Sequence, residues 1–289
     1  MDVRNKNINT PSHRRAGDHT VNQGKRFETR NTLLFFVISY AWTWLLWLPS
    51  VLSPTGYSDP LLFIMFIGGA YGPFVGSFSM TFLDEGMEGV KNLGRRFWNL
   101  KTSRLWLLIS LVLFPILYGA SFIIAFLVEG TVPVLVWLSD PSMLLYIVAI
   151  SFFGGGFAEE FGWRGYALPR LQAKWNALIS SLILGLIWAF WHFPVWYIEG
   201  DSHQGSPFFL FALTIVFLSI LFTWVYNNAE GSILAAVALH TTYNIMTKLG
   251  LLSPVGGVIY IILFFGLTLV VIPVFGYKKL IREAPKNGS

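Results

Sequence analysis

The sequence predicts an all-α fold, a polytopic membrane bundle of about eight transmembrane helices with both termini cytoplasmic. Three observations carry this expectation. Hydrophobic residue types make up 54% of the 289 residues and Asp, Glu, Lys and Arg only 12%, where soluble domains run near ~25% charged. Mean hydropathy is +0.59. The apolar residues fall in long runs such as RLWLLISLVLFPI at 104–116, which lack the alternation a membrane β-barrel needs, while helices satisfy their own backbone groups in lipid. This composition excludes a soluble globular domain, a disordered chain and a nucleic-acid binder.

Residues 1–31 are polar and carry Arg4, Lys6, Arg14, Arg15, Lys25, Arg26 and Arg30. With so few apolar residues to pack, they predict a basic, mostly disordered cytoplasmic tail, and they lack the apolar core of a signal peptide. Eight apolar stretches follow, at about 32–52, 60–83, 104–128, 143–168, 176–197, 208–227, 232–250 and 255–276. Each is near the length that crosses ~30 Å of hydrocarbon as a helix. The bundle is thus expected over 32–277, with a second cytoplasmic tail at 278–289. Between spans, 84–103 reads either as an interfacial helix with Phe97, Trp98 and Leu100 against lipid or as a charged loop.

Charge fixes the expected orientation. Eight spans put both ends on one side, together with nineteen of the 20 Lys and Arg; Lys248 alone falls opposite, where the loops carry Asp59, Glu129, Asp140, Glu199 and Asp201. The positive-inside rule then makes the basic side cytoplasmic. The pI near 9.4 is therefore a topological signal, with no nucleic-acid partner implied. Cysteine is absent, which removes disulfides, Fe–S clusters and Cys-ligated zinc.

Ionisable residues at bilayer depth cost at least ~2.5–3.5 kcal/mol, so they are functional candidates by default. They are few: Glu159, Glu160 and Arg164 in FFGGGFAEEFGWRGYALPR, His192 in IWAFWHFPVWY, and His240 in ALHTTYNIM, with Asn244 as a polar neighbour. Glu160 and Arg164 stand i, i+4 and predict a structural ion pair; Glu159 points about 100° away, free for another task. Gly154, Gly155 and Gly156 lie one turn earlier and permit close approach. Were spans four and five a hairpin turning at 173–176, Glu159 and His192 would reach similar depth. His240 and Asn244 share a face, again at i, i+4. A lone His192 among aromatics reads as packing, and EExxxR by itself is a weak pattern. Together, four such groups on three helices point to one site.

These residues resemble the motifs of the CPBP family of intramembrane metalloproteases (CAAX protease, or Abi): EExxxR, then FxxxH, then HxxxN. Here they stand as Glu159-Glu160 with Arg164, Trp188 with His192, and His240 with Asn244. The resemblance covers roughly 143–250, with Trp188 in place of the usual Phe, a departure expected to alter pocket shape more than chemistry. It implies an integral, multi-pass protein of a prokaryotic plasma membrane that hydrolyses a peptide bond in a membrane-associated protein or peptide. Glu159 and His192 would activate water, and His240 and Asn244 would stabilise the oxyanion. Glu159, His192 and His240 would also make a His₂Glu set for zinc, although the sequence-local HExxH motif is missing. Two other functions remain open on sequence: a non-catalytic scaffold or bacteriocin-immunity protein on the same fold, and a transporter relaying protons through the buried charges.

Overall fold

The computed structural model describes residues 14–98, 104–131 and 140–282. Helices account for its regular structure, with no strand among the described residues: α1 Arg14–Leu52, α2 Pro60–Ala70, α3 Gly72–Phe97, α4 Arg104–Glu129, α5 Pro141–Gln172, α6 Ala177–Trp191, α7 Phe208–Asn228, α8 Ile233–Lys248 and α9 Pro254–Phe275. Ends are set by ordinary capping chemistry. Asp59 accepts from the backbone N–H of Leu61 and Leu62, Asn176 from Ile179, Ser232 from Ala235 and Ser253 from Gly256. Each satisfies donors that a helix start leaves orphaned.

Six of these helices are long and apolar enough to cross a membrane, or seven if α2 and α3, bent by 44° at Tyr71, form one span. Eight was expected. The difference lies at α8, whose 16 residues rise only about 24 Å. Its polar His240, Thr241, Thr242 and Asn244 keep its composition mixed, and protein covers its first two turns.

Two further expectations change. Residues 14–31 continue α1 as helix instead of an open tail, because extending an existing helix avoids the cost of nucleation; residues 1–13 and 283–289 lie outside the described set. Phe97 does not face lipid: it is buried and stacks with Phe161 at 5.5 Å between ring centroids. Trp98 is exposed as expected, and Leu100 lies outside the described residues.

Close packing comes from small residues, as membrane helices require in the absence of a hydrophobic drive between them. A Cβ at Gly72 would meet the Ser39 carbonyl at 2.3 Å, and one at Gly162 the Pro73 carbonyl at 2.5 Å. Glycine thus lets α3 lie between α1 and α5. The turn expected at 173–176 joins α5 to α6, and the loops 53–59, 198–207 and 249–253 gather at the opposite end of the bundle, where Tyr57 donates to Asp201 at 2.9 Å.

Candidate active site

The EExxxR stretch does not sit on a uniform α-helix. Within α5, two π-helical turns, Phe152–Gly156 and Phe161–Ala167, bracket the short α-helical piece Phe157–Glu160. A π-turn widens the backbone and redirects side chains, and such turns concentrate at functional sites. The glycines make it possible here: a Cβ at Gly156 would sit 2.7 Å from the Val237 carbonyl, and one at Gly155 2.3 Å from Asn244 Nδ2 and 3.5 Å from His240 Nε2. Arg96 of α3 donates to the Gly165 carbonyl at 2.8 Å, so a backbone group within the second π-turn is satisfied from outside.

His240 lies between the two glutamates. Its Nδ1 is 2.8 Å from Glu160 Oε1 and its Nε2 is 4.0 Å from Glu159 Oε1. Glu160 Oε1 also accepts from Arg164 Nη1 at 3.0 Å, all three residues being buried. The guanidinium is sandwiched between rings, its carbon 4.5 Å from the centre of Trp188 and 4.3 Å from that of Phe222, which stabilises a buried cation. The expected Glu160–Arg164 pair therefore exists, with an additional part: Glu160 orients His240. Because a paired carboxylate only accepts, Nδ1 carries the proton in this bond.

Glu159 is held by two indoles. Trp163 Nε1 donates to its Oε2 at 3.0 Å and Trp188 Nε1 to the same atom at 2.6 Å. Sequence reasoning missed this. Trp188, read as a change of pocket shape, supplies an N–H that the usual Phe lacks, so the departure touches the chemistry of the carboxylate itself. The signal was present in the residue type, since a buried Trp needs an acceptor.

His192 caps the C-terminal end of α6, with Nδ1 2.9 Å from the Trp188 carbonyl. Trp188 thus touches Glu159 through its indole and His192 through its backbone. Pro194 follows within the 3₁₀ turn Phe193–Tyr197, consistent with the helix break its ring imposes.

Glu159, His192, His240 and Asn244 all line one cavity of about 480 Å³. Apolar walls come from residues such as Trp47, Phe66, Ile150 and Leu218, and the far end carries Tyr57, Asp201, His203 and Lys248. At that end burial works to raise the Asp201 carboxyl pKa, but hydrogen bonds from His203 and Tyr57 outweigh it and hold the group below the ordinary range. The four predicted site residues are therefore brought to one hollow.

They do not gather as a metal centre. Among the described residues no three His, Cys, Asp or Glu side chains could hold a metal ion. His240 and His192 are each anchored through Nδ1 and Glu159 through Oε2, which leaves the two Nε2 atoms and Glu159 Oε1 unanchored. As placed, these side chains do not form the three-ligand cluster that the expected His₂Glu zinc set needs, although the free atoms are the ones such a set would use.

Comparison with known proteins agrees with the motifs. Residues 141–246 match the family model described as type II CAAX prenyl endopeptidase Rce1-like. The chain is also 25% identical over 236 residues to CAAX prenyl protease 2 of Methanococcus maripaludis, covering 76% of this chain and 84% of that protein.

Proposed function

We propose how this chain, a multi-pass relative of the Rce1-like CAAX prenyl endopeptidases and hence an intramembrane hydrolase of the peptidase class, performs its reaction: Glu159 activates a water held between itself and His240. The observation that carries this reading is the 4.0 Å separation of Glu159 Oε1 and His240 Nε2 on the cavity wall. One water at hydrogen-bond distance, roughly 2.8 Å from each atom, spans such a gap.

Charge balance limits the site to one shared proton. A buried cluster with net charge is costly. Glu160 and Arg164 cancel, so Glu159 and His240 are neutral together when they share one proton. With that proton on His240, Glu159 is a free base and Nε2–H a donor.

Glu159 then takes a proton from water as its oxygen attacks the scissile carbonyl, and returns it to the departing amine. His240 Nε2–H and the Asn244 amide donate to the oxyanion, a donor of this kind being worth about 3–4 kcal/mol. His192, its Nδ1 donated to the Trp188 carbonyl, presents Nε2 as an acceptor that helps hold the attacking water or the substrate amide. No step passes through a metal, and cleavage should persist in a chelator; loss on chelation with recovery on zinc would restore the His₂Glu assignment.

The relatives' names make a prenylated C-terminal peptide the first substrate to test. We expect purified protein in nanodiscs to cleave a synthetic peptide with S-farnesyl cysteine followed by three aliphatic residues. Glu159→Gln and His192→Ala should lower the rate by about 10²–10⁴-fold without changing elution or thermal stability. Full activity in either variant would reject the site.

A further inference from the structure

Helix α1 lies outside residues 141–246, the stretch that matches the peptidase family, and supplies none of the groups in the hydrolysis described above. It does satisfy the backbone ends of α2 and α6, two helices that wall the cavity. The last carbonyls of a helix have no partner within it, and on α6 they are met one by one. The Trp188 carbonyl accepts from His192 Nδ1 at 2.9 Å and the Ala189 carbonyl from the His192 backbone N–H at 3.1 Å. The Trp191 carbonyl accepts from the Trp44 indole of α1 at 3.0 Å, and Tyr40 adds a bond to the Ile187 carbonyl at 2.5 Å. The end of α2 is served from the same helix: Trp47 donates to the Phe66 carbonyl at 2.7 Å, Trp42 to that of Gly68 at 2.9 Å and Thr43 to that of Gly69 at 2.7 Å.

Thr43 stands where the two sets meet. It is buried, donates to Gly69 of α2 and accepts from Trp191 Nε1 of α6 at 2.9 Å. A hydroxyl that donates and accepts at once has a fixed direction, and an indole has a single N–H to offer, so the Trp191 ring is held at one tilt. That ring meets the His192 imidazole edge to face, with centroids 4.6 Å apart, and both residues line the cavity. His192 is otherwise held by its one Nδ1 bond and by contact with Phe211 at 5.3 Å. A single hydrogen bond leaves a ring free to rock about it; a fixed neighbouring ring does not.

We infer that Thr43 is a positioning residue for His192: its hydroxyl fixes the Trp191 indole, and the indole fixes the imidazole beside the cavity. The task of His192 in cleavage rests on the peptidase reading; the contacts do not.

Thr43→Val keeps the shape of the side chain and removes both hydrogen bonds, whereas Thr43→Ser keeps the hydroxyl. The test follows deuterium exchange at carbon 2 of each histidine ring by mass spectrometry, on full-length protein in nanodiscs, with His240 as the reference in the same molecule. In Thr43→Val the His192 ring should exchange about 10-fold faster than in wild type, as a locally loosened site does, with His240 unchanged. Thr43→Ser should return His192 to the wild-type rate. An unchanged His192 rate in Thr43→Val would overturn the inference, and so would faster exchange at both rings, which is general loosening. Cleavage of the S-farnesyl peptide is scored separately. There Thr43→Val should lower kcat about 10-fold with KM nearly unchanged. Placed in His192→Ala, the same substitution should cost nothing further, because residues that act through one another do not add; an equal loss in both backgrounds would also overturn the inference. Should wild type cleave nothing, the peptidase reading fails and the ring-exchange result alone decides the role of Thr43.

Discussion

At Glu159, a single carboxylate oxygen accepts two indole N–H groups while the other faces an imidazole. Holding Oε2 in this way fixes the orientation of Oε1, which is where preorganisation takes effect. Trp188→Phe removes the 2.6 Å donor and leaves an aromatic ring in place. A hydrogen bond to a charged group contributes about 1.5–3 kcal/mol, so kcat should fall roughly 10- to 100-fold, with KM changed far less; steady-state kinetics would settle it. Glu160 serves a different end. Glu160→Ala strands Arg164 in a buried site and frees His240, and breaking such a pair costs about 3–5 kcal/mol. Its signature is reduced abundance and a lower melting temperature alongside lost activity. Normal stability with wild-type turnover would show that Glu160 does not position His240.

Much of this was readable from residue types and spacing. Glu160 with Arg164, and His240 with Asn244, follow from the 3.6-residue period, and the rarity of charge at bilayer depth singles out Glu159. The Glu160–His240 bond was not readable, because it joins residues 80 apart and depends on how α8 docks against α5. Nor does a period of 3.6 foresee that the backbone widens on both sides of the acidic pair.

At the scale of helices, the π-turns of α5 and the glycines beside them make the close contact with α8. Two neighbouring substitutions separate packing from chemistry. Gly156→Ala places Cβ 2.7 Å from the Val237 carbonyl; backbone cannot yield cheaply, so stability should drop by about 1–3 kcal/mol. Gly155→Ala instead meets the end of the Asn244 side chain at 2.3 Å, which can swing aside. That variant should keep its melting temperature and lose about 10²–10³-fold in kcat, the effect of removing one oxyanion donor. Wild-type activity in Gly155→Ala would take Asn244 out of the mechanism. The same glycines were visible in sequence as places for close approach, while the partner each one meets required the fold. The shortness and part-burial of α8 likewise separate its role from that of a free-standing span, which hydropathy alone could not do.

Across the whole molecule, charge and cavity lie at opposite ends. Arg96, Arg170, Lys174 and Lys278 gather where α3, α5 and α9 end, and the cavity runs toward Tyr57, Asp201 and Lys248 at the other end. The positive-inside rule predicts that the basic end is cytoplasmic and the cavity mouth faces out. A chain without cysteine makes this easy to check. Gln204→Cys should react with an impermeant thiol reagent added to intact cells, and Lys279→Cys only after lysis; the reverse pattern would invert the orientation. The charge asymmetry was legible from composition by segment, whereas the course of the cavity depends on side chains contributed by most of the bundle.

Glu159 is the base on which the proposed peptidase chemistry depends. Its most direct test is a mass-spectrometric census of membrane-peptide termini from source cells carrying either wild type or Glu159→Gln at equal abundance. New peptide ends present with wild type and missing with the variant are the predicted result; identical sets of ends in the two would contradict it.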